Sequence, residues 1–83
     1  MNTSYVFLAP GFEEVEALTV IDVMRRAGMD VKTVSITDSR TVAGAHGIAV
    51  TADVVYEKTD FITPEWLILT SLLHISLFKC SFV

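Results

Sequence analysis

The feature that most constrains this chain is the punctuation of its first third, "YVFLAPGFEEVEALTVIDVMRRAGMDVKTVSI". A short apolar run, Tyr5–Ala9, stops at Pro10-Gly11 and reads as a strand buried on both faces, as in a parallel sheet. A helix follows from Phe12 or Glu13 to Ala27. Its apolar positions Val15, Leu18, Ile21 and Met24–Ala27 fall at helical spacing, and Val20 and Val23 widen the stripe toward a second packing surface. Arg25 and Arg26 place positive charge at the carbonyl end, and Gly28 supplies a stop. Val31–Ile36 alternates as a second strand. Strand, helix and strand in roughly 32 residues make a βαβ unit, hence a parallel pair.

The remainder extends the same class. "TVAGAHGIAVTAD" reads as a small hairpin around Gly44-Ala45-His46-Gly47, Val54–Asp60 as a connection to Pro64, and Trp66–Leu69 as another buried strand. No repeat or interdomain linker interrupts the 83 residues, so the expectation is the first half of one open α/β sheet. A net charge of -4 with six scattered basic residues argues against nucleic-acid binding. The single cysteine, Cys80, excludes an internal disulfide, and with no visible leader the expected compartment is cytoplasmic. Mean hydropathy is high at +0.54. The excess sits mostly after Trp66, where "WLILTSLLHISLF" runs 13 residues without charge, short of a membrane span.

Ligands of open α/β sheets sit at the carboxyl ends of the strands. There this sequence puts Pro10-Gly11-Phe12-Glu13-Glu14-Val15-Glu16. Acids in a first helical turn complement the macrodipole whatever else they do. Glu13 and Glu16 share a face, whereas Glu14 points elsewhere; a crevice-side carboxyl that stays protonated would donate a hydrogen bond to an anionic partner. Spacing alone decides between neither reading.

That opening segment, with "HGIAVTADVVY" and "WLIL" after it, resembles the N-terminal half of the ThiJ/PfpI family, the DJ-one-type deglycases and their relatives, over residues 4–69. The resemblance implies a partial flavodoxin-like fold, similar to class I glutamine amidotransferases, its parallel sheet incomplete, usually in a homodimer; here the first helix is the expected contact. It implies glyoxalase or deglycase chemistry on reactive carbonyls, without a cofactor or metal. The family pairs a cysteine on a nucleophile elbow with a first-helix glutamate. By resemblance Glu16 is that glutamate, and Gly11 and His46 are candidate substrate-side positions, His46 lying where relatives often carry a basic residue.

Departures begin at residue 70. The family follows its "WLIL" strand with proline and two glycines that help form an oxyanion site, and this chain has Thr70, Ser71 and Leu72. Residues 70–83 form a divergent apolar tail of the kind a shifted reading frame or premature stop produces. An elbow needs a sharp turn into a following helix, which "LFKCSFV" does not offer. Cys80 is therefore expected to be an incidental thiol at the wrong place along the sheet, His74 a tail residue, and Glu16 a site residue without its cysteine. The expected function is a truncated, catalytically inactive family member; the alternatives are an active cysteine-dependent deglycase or hydrolase, and a non-catalytic partner-binding fragment.

Overall fold

A computed structural model describes residues 2–61, 63–70 and 75–80. Strand β1 (Ser4–Leu8) leads into helix α1 (Glu14–Arg26), then β2 (Val31–Ser35), a hairpin of β3 (Thr41–Ala43) and β4 (Ala49–Thr51), β5 (Val54–Val55), a 3-10 turn at Tyr56–Lys58, β6 (Trp66–Thr70) and β7 (Ile75–Lys79). The main sheet has the order β5-β2-β1-β6-β7. All its pairings are parallel except β6 with β7, which is antiparallel.

β1 is central because its side chains are apolar in both directions. Val6 and Leu8 face α1 and pack with Phe12, Ala17, Ile21, Val31 and Ile68. Tyr5 and Phe7 face the other way and meet Phe61, at ring-centroid distances of 4.7 and 5.6 Å. Helix α1 ends as the sequence predicts: Gly28 takes φ +81, its N–H donates to the Arg25 carbonyl, and the Met29 N–H reaches back to Met24. This is a Schellman closure, which needs a left-handed residue that glycine adopts without Cβ strain.

The buried stripe of α1 differs from the expected one. Glu14, Ala17 and Ile21 are its buried residues, while Val15 is 73% and Leu18 39% exposed. The helix is rotated so that a carboxylate, not Val15, enters the interior, because that carboxylate has hydrogen-bond donors waiting for it. At the other end of α1, Arg25 Nη2 donates to the Val31 carbonyl at 3.0 Å and to Asp53 Oδ2 at 2.8 Å. Asp53 Oδ2 also accepts from the Thr33 N–H and hydroxyl. Partial burial pushes the Asp53 carboxyl up, but those donors and the Arg25 charge outweigh it and lower its pKa. This bolt joins helix, β2 and the approach to β5.

Two elements enlarge the sheet beyond the three strands placed in it from the sequence. Val54–Val55, expected as connection, extends the sheet parallel to β2. Ile75–Lys79, within the segment expected to be a divergent tail, forms β7 against β6, pairing Trp66 with Lys79 and Thr70 with Ile75. The sheet faces beside it are sparsely covered: Leu69, Leu77 and Phe78 are each about half exposed.

Candidate functional site at the carboxyl end of the first strand

Neighbours of β1 diverge in the chain: β2 and β5 lie on one side, β6 on the other. The crevice outside the carboxyl ends of β1 and β6 is thus a topological switch point, the place where open α/β sheets bind ligands. Residues Ala9–Glu13 connect the carboxyl end of β1 to α1 there. Gly11 adopts φ +86, a left-handed conformation that explains the glycine, and its N–H donates to Ala43 at 2.8 Å. Ala45 N–H donates to the Phe12 carbonyl at 2.8 Å, so the β3–β4 turn is tied to the β1–α1 turn. Phe12 is fully buried beneath this junction.

Glu14 is the residue that organises the junction. Its Oε2 accepts the His46 N–H at 2.8 Å and the Ile48 N–H at 3.3 Å, and its Oε1 lies 3.0 Å from His46 Nδ1. Burial pushes the Glu14 carboxyl up, but the His46 ring and the backbone N–H groups of Glu14, His46 and Ile48 outweigh it, and its pKa falls to about 2. The same contact with Glu14, reinforced by the charges of Glu13 and Glu14, raises the His46 pKa against a smaller opposing effect of burial. Glu13 Oε1 stands 3.6 Å from the same ring nitrogen.

Of the residues expected from the sequence, Gly11 and His46 come together at this junction. Glu16 is on the same first turn of α1 but exposed. Reading Glu13, Glu14 and Glu16 from spacing missed Glu14. The available signal was its register: positions 14, 17 and 21 fall on one helical stripe, and a carboxylate in a buried stripe needs donors. Glu13, Glu14 and His46 bring donor atoms within 4.8 Å of one another, yet both Glu14 oxygens are already engaged, so the trio presents no open cation site.

Cys80 is elsewhere. Its N–H donates to the Glu65 carbonyl at 2.8 Å, and Glu65 N–H in turn bonds Thr3, which places Cys80 beside the amino ends of β1 and β6. The five residues of β6 separate it from the switch point by about 15 Å of strand. At the end of β6, Thr70 turns its hydroxyl onto the Phe7 carbonyl at 2.8 Å, where the resemblance implies a proline. Ser71, Leu72 and His74 lie outside the described residues.

A family model described as "DJ-1/PfpI family" matches residues 3–70. The chain belongs to the DJ-1/PfpI family. Among solved structures, a mutant of a DJ-1 superfamily protein from Salmonella typhimurium is 41% identical with a TM-score of 0.67, over 70% of this chain and 31% of that one. Oxidized DJ-1 from Toxoplasma gondii is 30% identical with a TM-score of 0.80, over 86% and 39%. A DJ-1 superfamily protein from Agrobacterium tumefaciens, 22% identical with a TM-score of 0.72 over 86% and 38%, shares the fold. No curated protein matches the sequence. The chain thus spans between 31% and 39% of the length of these DJ-1 relatives, and the fold is the partial flavodoxin-like one that the resemblance implies. Among the described residues no helix is long and apolar enough to cross a membrane.

Proposed function

We propose that this chain carries the acid-bearing portion of a DJ-1/PfpI-type site, with Glu16 as its family glutamate, and that the 83-residue polypeptide by itself does not turn over reactive carbonyls. In a complete site the Glu16 carboxyl, protonated, would donate to a cysteine thiolate and keep that sulfur nucleophilic. The observation that carries the reading is the position of Cys80. It sits at the amino end of the sheet, whereas Glu16 follows the carboxyl end of β1. A thiolate cannot share a proton with a carboxyl at the other end of a strand.

The chemistry the family implies is conversion of a dicarbonyl such as methylglyoxal to its hydroxy acid, or removal of the corresponding protein adducts, in the cytoplasm. The test is direct: the purified chain is incubated with methylglyoxal and lactate is measured, alongside Glu16→Ala and Cys80→Ser. No turnover above buffer is expected from any of the three. Turnover by the parent chain that either substitution abolishes would establish an active cysteine enzyme instead.

Association through α1 is the partner reading. It rests on Val15 and Leu18, three residues apart on the outer face and exposed by 73% and 39%. Light scattering on the parent chain and on Val15→Glu checks it; a dimer that the charge abolishes supports α1 as the contact, and a monomer in both refutes it.

A further inference from the structure

We propose that Glu14, His46 and the β3–β4 turn form a proton-operated latch, in which the charged imidazole holds the turn against the carboxyl end of β1 and its deprotonation loosens that end. The proposal does not depend on carbonyl chemistry or on Glu16.

The turn is held in two ways. Two backbone bonds, Gly11 N–H to Ala43 and Ala45 N–H to Phe12, both 2.8 Å, are indifferent to pH. The rest of the grip runs through one buried carboxylate: Glu14, 4% exposed, gathers the His46 N–H, the Ile48 N–H and the His46 ring. Gly44 completes the fit, since a Cβ there would meet the Glu14 side chain well inside contact distance and oblige it to shift. The groups that act electrostatically on the ring are Glu14 from α1 and Glu13 from the β1–α1 turn; β1, β3 and β4 contribute none.

Because a carboxylate only accepts, Nδ1 keeps its hydrogen toward Glu14 Oε1. The titrating proton is the one on Nε2, which leaves to solvent; the ring, 68% exposed, is open to it. Below the ordinary histidine value of 6.5 the contact is charge-assisted and at full strength, and this is lost as pH rises through the raised value of His46. Above it the neutral ring still donates, but the attractions to Glu13 and Glu14 are gone. On the acid side Glu14 gives full strength above 4.5 and lets go only toward about 2. The latch is therefore tightest between 4.5 and 6.5 and slackens upward.

Loosening would free the Gly44–Gly47 turn from the β1–α1 turn to which it is tied. The test is an NMR titration of the full chain, with the His46 ring assigned by its disappearance in His46→Gln, a safe substitution at an exposed turn. The expected midpoint lies above 6.5 and moves down in Glu14→Gln. Hydrogen exchange at the His46 and Ile48 amides, corrected for the intrinsic pH dependence, should lose protection as pH crosses that midpoint. In His46→Gln the corresponding protection should be flat. A midpoint at or below 6.5, which an unfolded chain would also give, overturns the latch, as does protection that does not change across the midpoint.

Discussion

Gly44→Ala puts one methyl group against the buried Glu14 side chain. An added Cβ would run into the Glu14 Cδ and Oε2 well inside contact distance and meet Cγ at 2.7 Å. Gly44 needs no unusual backbone conformation, so the effect is purely steric. Relief requires the Glu14 side chain to retreat by about 1 Å, enough to carry its 2.8 Å bond from the His46 N–H out of range. Overpacking of this kind costs about 1–3 kcal/mol. With about 2 cal/mol/K of unfolding entropy per residue, 83 residues translate that into a melting point lower by roughly 6–17 °C. Thermal unfolding followed by circular dichroism measures it, and a double-mutant cycle with Glu14→Ala isolates the cause. If the clash is with Glu14, removing Glu14 first should make Gly44→Ala nearly harmless. Neutrality of Gly44→Ala, or strict additivity with Glu14→Ala, would refute the packing described at the turn.

Phe12→Ala should cost about 3–5 kcal/mol by leaving a cavity, a large share of the roughly 4–12 kcal/mol available to a chain this size, and urea titration should show the unfolding midpoint falling accordingly. Asp53→Asn weakens the bolt to Arg25, whose partners are 47% and 42% exposed, so about 1 kcal/mol is expected. The Asp53 carboxyl is lowered below its ordinary 3.8, so its contribution is present above that pH and lost below it. Acid titration of stability should therefore fall less steeply in Asp53→Asn than in the parent chain. Leu77→Lys and Phe78→Lys, at side chains 58% and 53% exposed, should raise soluble yield by breaking up apolar surface beside β7.

Much of the fold was legible because local signals agreed with one another. Pro10-Gly11 and Gly28 bracket the helix, and the apolar run after Ser4 has to be a strand covered on both sides. The hairpin was legible from β-branched runs around Gly44 and Gly47, and its pairing of Val42 with Val50 follows. What sequence could not give was rotation about the helix axis. Val15, Leu18 and Ile21 make an acceptable stripe, and only the donors at His46 and Ile48, more than 30 residues away, turn Glu14 inward instead. β5 was missed because two residues carry no periodicity. For the run before Cys80 it was the pairing that stayed hidden: "ISLFK" alternates too weakly to fix a partner, and its antiparallel register depends on the β6 edge it meets.

The most direct measurement is the alkylation rate of Cys80 as a function of pH, in the parent chain and in Glu16→Ala. With the sulfur at the amino end of the sheet and the carboxyl beyond the carboxyl end of β1, the two profiles should superimpose. A rate profile that shifts when Glu16 is removed would mean that the two side chains meet, and would contradict the arrangement on which the functional reading stands.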